Sequence, residues 1–300
     1  ANLVDLGGFQ LVKQEQRILL PKRLFGLGTL INRFLAPLPL FRRLCLRHYT
    51  VARSRRALFQ NEPSCSVIVP CRNERGNILN AIGRMPVFCD NLEVVFVEGH
   101  SRDGTLEEIE RVISSYDGPI KLSVVTQDGK GKGDAVRKGF AHATGEILIL
   151  DADLTVPPED LPKFYKAIAT GDGEFINGSR LVYPMDQQAM RFLNLLANAI
   201  FARLFSWLLN QRVTDTLCGT KVLRKSDYAR IAEGRSYFGE FDPFGDFDLI
   251  FGASKLNLKI VEIPIRYASR DYGETQISRF SHGWLLLRMV VLAFRKLKAF

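Results

Sequence analysis

Nowhere do the 300 residues run for the ~18 uncharged apolar positions of a membrane-spanning helix. The first residues carry no signal-peptide pattern, and the chain opens on Ala1, which suggests an excised or processed fragment. There is no internal repeat and no low-complexity tract, so solenoids and flexible tails are excluded. Cysteine is sparse: Cys45, Cys65, Cys71, Cys89 and Cys218 form no C-x-x-C pair, which removes the common zinc and redox motifs. An odd, scattered set fits a reducing compartment. Cys65, Cys71 and Cys218 sit in or beside apolar runs and read as core.

Hydrophobic residues make up 46% of the chain, enough for one large domain or a domain with an appendage. The net charge is +9, and residues 1–60 hold 11 Lys/Arg against 2 Asp/Glu, so the whole excess lies there. Such a segment is either a solvated basic face or a contact for an acidic lipid surface; no nucleic-acid partner is expected. Residues 1–60 therefore read as a basic appendage and linker, 61–283 as a catalytic domain, and 284–300 as an amphipathic basic helix.

From Cys65 the pattern alternates between strands and helices. Strands are expected at 66–69, 92–97, 121–126 and 146–150, with helices from about 77, at 105–115 and at 134–143. Further on, strands are expected at 175–177, 221–223 and 259–263, and helices at 190–209, 246–256 and 284–298. Residues 48–52 form a candidate strand in the appendage. Short apolar strands between helices imply an α/β fold with a mostly parallel sheet covered on both faces.

Chemistry concentrates at the strand ends. Ile147-Leu148-Ile149-Leu150 runs into Asp151-Ala152-Asp153, two carboxylates at i and i+2 that share a side in extended backbone. Ligands bind at the carboxyl end of parallel strands, and two hard oxygens suit Mg²⁺ or Mn²⁺ beside phosphate. Gly129-Lys130-Gly131-Lys132-Gly133 lies between a strand and a helix, where glycines and helix-end amides attract anions. It is neither a Walker loop nor a dinucleotide fingerprint. Val69-Pro70-Cys71-Arg72-Asn73-Glu74 and the turn after Glu98 bring more polar groups to the same edge. Glu74 and Glu98 could accept hydrogen bonds from a base or ribose; Asp103 is better read as a cap. Asp242, Asp246 and Asp248 form an acidic cluster in which a general base would be sought.

The ordered set of these segments, with Gly178-Ser179-Arg180, residues 215–221 and residues 260–266, resembles family-2 glycosyltransferases. The likeness is strongest to dolichyl- and polyprenyl-phosphate sugar synthases and spans residues 64–283. It implies a GT-A fold with a Rossmann-like sheet, and inverting transfer from a nucleotide sugar to a lipid phosphate. Pro70, Asn73, Glu74 and Glu98 would surround the nucleoside, with Lys132 and Ala152 also on the donor. Asp151 and Asp153 would hold the metal, with Thr155 nearby. Arg180 and Arg191 would meet the acceptor phosphate and Arg270 the donor diphosphate.

The chain departs from the family twice. Glu98-Gly99 replaces an Asp-Asp pair, and Thr275-Gln276 replaces a serine-lysine pair, which shifts the clamp towards Arg279. The alternatives are transfer to a saccharide hydroxyl, a nucleotidyltransferase, and an inactive nucleotide-sugar binder. The apolar helices at 190–209 and 284–298 either pack on the sheet or lie in a membrane interface, which would place the chain peripherally on the cytoplasmic face. Residues 1–57 resemble the tail of an S-adenosylmethionine-dependent methyltransferase, implying such a domain upstream.

Overall fold

A computed structural model describes residues 2–22, 24–54, 62–149, 156–180, 192–216, 218–237, 245–265 and 279–299. The N-terminal unit comprises α1 (Asn2–Leu6), β1 (Phe9–Arg17), α2 (Leu27–Leu30, continued by a π-type turn Ile31–Leu35) and β2 (Arg47–Ser54). β1 and β2 form an antiparallel ribbon, which extends the strand expected at 48–52 and gives it a partner.

The larger part of the chain starts with β3 (Cys65–Cys71), α3 (Arg75–Gly83), β4 (Leu92–Glu98), α4 (Thr105–Ser115), β5 (Lys121–Thr126), α5 (Lys132–His142) and β6 (Glu146–Ile149). It continues with α6 (Leu161–Ala169), β7 (Phe175–Ser179), α7 (Phe192–Leu209), β8 (Lys221–Leu223), α8 (Lys225–Glu233), α9 (Asp246–Lys255), β9 (Ile260–Pro264) and α10 (Arg279–Ala293, continued by a π-type turn Phe294–Lys298). These strands make one seven-stranded sheet in the order β5-β4-β3-β6-β8-β7-β9. β3 pairs in parallel with β4 and β6, β4 with β5, and β7 with β9, while β8 runs antiparallel to both β6 and β7. All strands but β8 therefore point the same way.

Side-chain alternation sorts the core into two layers. Val67, Val69 and Cys71 join Ile78, Ile109 and Phe164 on one face. Ile68 points to the other face, with Phe140 and Phe205. Burial on both faces explains why β3 and β4 read as continuous apolar runs. α4 turns Thr105, Ile109 and Val112 inwards at helical spacing.

The N-terminal unit is stitched to the amino edge of the sheet. The Arg53 guanidinium donates to the Gly171 and Asp172 carbonyls at 2.6 and 2.9 Å, just ahead of β7. Lys259, just ahead of β9, donates to the Leu11 carbonyl at 3.0 Å. Arg17 and Arg33 donate to the Lys298 and Ala299 carbonyls, and Trp207 Nε1 to the Pro37 carbonyl. Burial at this seam pushes Lys298 down to about 7 against the pull of Glu15, and its ammonium donates to Asn210 Oδ1 at 2.6 Å. The C-terminal helix is less simply amphipathic than expected. Leu286, Met289 and Ala293 are buried, yet Trp284, Leu287 and Val291 lie exposed on the opposite side beside Arg288 and Arg295.

Two residues test how tightly this sandwich is built. Glu146 opens β6, and burial pushes its carboxyl up to about 8 while Arg224 opposes the shift. Its Oε2 finds no hydrogen-bond partner among the described residues, as suits a neutral acid. Between the ordinary glutamate range and about pH 8 the unfolded chain has lost a proton that the folded chain keeps, so stability falls as pH rises through that window. Glu146→Gln is expected to flatten this slope and to be the more stable protein at the alkaline end, read by urea unfolding across the window. A Cβ on Gly139 would lie 2.3 Å from Ile68 Cγ2 and 2.9 Å from Val97 Cγ2, because α5 rests directly on β3 and β4. Gly139→Ala is expected to cost about 1–3 kcal/mol in the same assay.

Candidate active site at the carboxyl edge of the sheet

Because every strand except β8 runs one way, the segments following β3, β4, β5, β6 and β7 all leave at the same edge. The segment that enters β8 reaches that edge as well. Pro70, level with Val97, is the penultimate residue of β3. The next two exits are tied to each other. Asn73, with φ 56°, accepts Arg102 N on its Oδ1 at 2.9 Å, and its own amide donates to Ser101 Oγ at 3.0 Å. Gly99 N donates to the Cys71 carbonyl at 2.8 Å.

The N-cap position of α4 belongs to Gly104 and not to Asp103 as expected, yet Asp103 engages the start of the helix. Its carboxylate accepts Thr105 N, Thr105 Oγ1 and Arg75 N. Thr105 Oγ1 in turn accepts the Glu74 amide at 3.0 Å. Glu74 Oε2 accepts Asn77 Nδ2 at 2.6 Å. Glu98 is 4% exposed, and its two oxygens accept the amides of His100 and Ser101 at 3.0 and 2.5 Å. Burial would push this carboxyl up, but the Ser101 and His100 hydrogen bonds outweigh it and hold the group below the usual range. Glu74 and Glu98 thus hold the backbone and side chains of the turns that follow β3 and β4.

The glycine loop is closed on itself. Gly129 N donates to Asp134 Oδ2 at 2.7 Å and Gln127 Nε2 to the Gly129 carbonyl. One loop amide is therefore engaged by a carboxylate of the same helix. α5 starts at Lys132, two residues before the expected start at 134, with Gly131 as N-cap. Gly245, the N-cap of α9, has φ 73°, and a Cβ there would lie 2.8 Å from Gly133 Cα. Only glycine allows the two helix N-termini this approach.

Asp246 is the first residue of α9, not its cap. Asp248, two positions on, must point to another side of the helix. It is 7% exposed and accepts Arg235 Nε at 3.0 Å, in a small cavity between α8 and α9. Burial raises its carboxyl, with Arg235 opposing. Of the three aspartates expected to form an acidic cluster, Asp248 is the one whose side chain is described, and it serves as a counter-ion of Arg235.

Arg180, the residue following β7, is held in a fork. Nε and Nη2 donate to Asp215 Oδ2 and Oδ1 at 2.6 and 2.8 Å, and Arg180 N reaches Oδ2 at 3.1 Å. The Asp215 side chain is 1% exposed and that of Arg180 13%. Glu262 on β9 holds the Asp215 segment, accepting Thr214 N, Thr214 Oγ1 and Asp215 N at 2.7, 2.8 and 3.2 Å. Asn177 Nδ2 donates to the Asp215 carbonyl at 2.7 Å. Sequence reasoning places Asp215 in a motif without this task and misses Glu262. The signal for the latter is a lone carboxylate in Ile260-Val261-Glu262-Ile263, an otherwise apolar strand.

Asp151, Ala152, Asp153, Thr155, Arg191, Asp242 and Arg270 lie outside the described residues, as do the side chains of Asp246 and Arg279. β6, which leads into Asp151, is central and ends with Ile149 level with Ile68. Among the described residues no group of three metal-binding side chains stands together.

Residues 66–231 match the glycosyl transferase family 2 profile. A dolichol-phosphate mannosyltransferase of Pyrococcus furiosus is 32% identical over 71% of this chain and 58% of its own length. The low-salt glycan biosynthesis hexosyltransferase Agl6 of Haloferax volcanii is 27% identical over 77% of this chain and 54% of its own. An undecaprenyl-phosphate 4-deoxy-4-formamido-L-arabinose transferase of Edwardsiella ictaluri is 26% identical over 70% of this chain and 62% of its own. The chain thus spans 54–62% of the length of these curated relatives. The fold is shared with glucosyl-3-phosphoglycerate synthase of Mycobacterium tuberculosis, solved with Mn²⁺, UDP and glucosyl-3-phosphoglycerate. That likeness has a TM-score of 0.56 at 18% identity, over 78% of this chain and 80% of the other. The sheet with helices on both faces is the GT-A arrangement, and the match leaves no room for the nucleotidyltransferase reading. The chain belongs to glycosyl transferase family 2.

Proposed function

We propose that this chain transfers a sugar from a nucleotide-sugar donor to a polyprenyl phosphate, inverting the anomeric carbon, with Mg²⁺ or Mn²⁺ held by Asp151 and Asp153. The relatives named for dolichol- and undecaprenyl-phosphate transfer support the acceptor, and the Mn²⁺-bound neighbour supports the metal. The observation that carries most weight is the Asp215 fork on Arg180. A phosphate acceptor is already ionised near neutral pH, so it needs fixed cations to place it and no strong base to activate it. The described part of the site fits that demand: Arg180 is locked in position, while Asp248 is spent on Arg235. A saccharide hydroxyl would require a base, for which Asp242 and Asp246 are the candidates.

In this reading residues 61–283 are the catalytic unit. Pro70, Asn73, Glu74 and Glu98 border the nucleoside, Lys132, Ala152 and Arg270 the rest of the donor, and Arg180 and Arg191 the acceptor phosphate. Two carboxylates at i and i+2 after a central strand are a donor set suited to a hard divalent ion. Such an ion supplies charge neutralisation for the departing diphosphate. The lipid acceptor makes the chain a peripheral protein of the cytoplasmic membrane face, and the exposed Trp284, Leu287 and Val291 support this. No helix among the described residues is long and apolar enough to cross a bilayer. The likeness of residues 1–57 to a methyltransferase tail extends the proposal to an upstream domain of that kind.

Asp153→Ala is expected to abolish passage of labelled sugar from nucleotide sugar into an organic phase holding polyprenyl phosphate, with thermal unfolding of the metal-free protein unchanged. Undiminished turnover would remove the metal assignment, and an inactive wild-type chain that still binds donor would make it a nucleotide-sugar binder. Asp215→Asn is expected to lower kcat/KM for the lipid phosphate on the order of tenfold while donor affinity holds. Arg180→Lys, which keeps the charge and loses the fork, should show the same split. Equal losses on donor and acceptor would take Arg180 out of the acceptor site.

A further inference from the structure

The N-terminal unit contains a helix whose faces are inverted for life in water. Along α2 and its π-type continuation, Gly28 is buried, and Asn32 lies on the same side. Asn32 Oδ1 accepts the amides of Leu19 and Leu20 at 2.9 Å each, and its Nδ2 donates to the Leu20 carbonyl at 2.7 Å. Ala36, a further turn on, is 0% exposed. The inward stripe is therefore glycine, asparagine and alanine. The outward stripe is Leu27, Leu30 and Phe34, exposed by 55, 56 and 44%. A helix folding against a protein core shows the opposite order.

The surface continues on both sides of α2. Phe25 is fully exposed, in a left-handed turn of φ 51°, and Leu40, Leu44 and Leu46 are 78, 66 and 64% exposed. Exposed Lys22, Arg33, Arg43 and Arg47 are interspersed among them. From Gln16 to Asn61 the sequence contains ten Lys/Arg and no Asp or Glu. An apolar patch of this kind, set among cationic side chains in a stretch of sequence without a carboxylate, complements one partner: the headgroup and acyl boundary of an anionic bilayer. A protein partner would favour hydrogen-bonding groups at the rim of the patch, and a second copy of this chain would bring the same positive charge against it.

We propose that residues 24–46 form an interfacial membrane anchor, with Phe25, Leu27, Leu30 and Phe34 entering the acyl boundary and the arginines on anionic headgroups. The anchor sits at the amino edge of the sheet, away from the site at the carboxyl edge. It meets the end of α10, where Arg33 donates to the Ala299 carbonyl at 2.9 Å. The proposal assumes a lipid acceptor only in giving the anchor a purpose; its test does not use one.

The test is flotation of the whole 300-residue chain with vesicles of phosphatidylcholine alone and of phosphatidylcholine mixed with phosphatidylglycerol. The chain is expected to float with the mixed vesicles, to float weakly with the neutral ones, and to detach in high salt. The triple variant Leu27→Gln, Leu30→Gln, Phe34→Gln is expected to bind the mixed vesicles on the order of tenfold more weakly. It should keep its circular dichroism and its transfer to a short-chain prenyl phosphate in detergent, since none of the three side chains touches the site. Equal flotation of variant and wild type overturns the proposal and leaves the face to the upstream domain inferred above. So does a wild-type dimer in light scattering that the triple substitution dissociates, which would assign the face to a second copy. If the wild type floats yet transfers nothing to prenyl phosphate, the anchor stands and the acceptor assignment above falls.

Discussion

Strand direction is the constraint from which the rest of the molecule follows. A parallel pair cannot be joined by a tight turn; the chain must cross back over a face, and here α3, α4, α5 and α6 make those crossings. Each crossing delivers the next strand's carboxyl end to the same edge, so polar residues scattered from Pro70 to Arg180 converge without long loops. The antiparallel β8 adds to this. Entering from the carboxyl edge, it lets residues 213–216 pass beside β7 and β9, where Glu262 and Asn177 hold them.

The Asp215–Arg180 pair shows what that convergence costs. A nearly buried carboxylate loses water on burial, and the Coulomb attraction to arginine alone often fails to offset the loss. The site makes up the difference with the Arg180 amide on the carboxylate and with Glu262 and Asn177 on its backbone. A guanidinium held in this way has already lost its conformational freedom, so on the reading proposed above it would lose little more on meeting a phosphate. The turn after β4 is held in a similar way, with the Glu98 carboxylate accepting the amides of His100 and Ser101.

The sheet is legible in the sequence because it is buried on both faces. A run such as Val94-Val95-Phe96-Val97 admits no other use, and the expected spans for β5 and β8 coincide with the observed ones. Glu93, just ahead of that run, is buried as well, and its carboxylate accepts Ser66 Oγ and the Thr144 amide. Composition, by contrast, says little about pairing between distant charges. Arg180 and Asp215 are 35 residues apart and Arg235 and Asp248 are 13 apart, and no local pattern links either pair. A second limit is the helix itself: Asp248 is the third residue of α9, and nothing in the segment Asp246-Phe247-Asp248 indicates that its carboxylate turns to Arg235. The glycine loop shows a third limit: five residues of phosphate-loop character give no sign that Asp134 closes on Gly129.

The N-terminal unit is where local and tertiary signals conflict, and the conflict is informative. A basic stretch rich in leucine and broken by Pro37 and Pro39 reads as part of an appendage, either solvated or set on an acidic lipid surface, until its burial is known. The structure shows it anchored by backbone carbonyls rather than by an apolar seam: Pro37, Gly171, Asp172, Lys298 and Ala299 each accept a hydrogen bond across the junction. Attachment through polar groups leaves the large apolar side chains outside. Trp207 and Ser206 then make consecutive residues of α7 serve two ends of the molecule. Trp207 holds Pro37, while Ser206 exchanges hydrogen bonds with the backbone of Val213, two residues from Asp215. α10 packs beside α7 with its own outward stripe of Trp284, Leu287 and Val291.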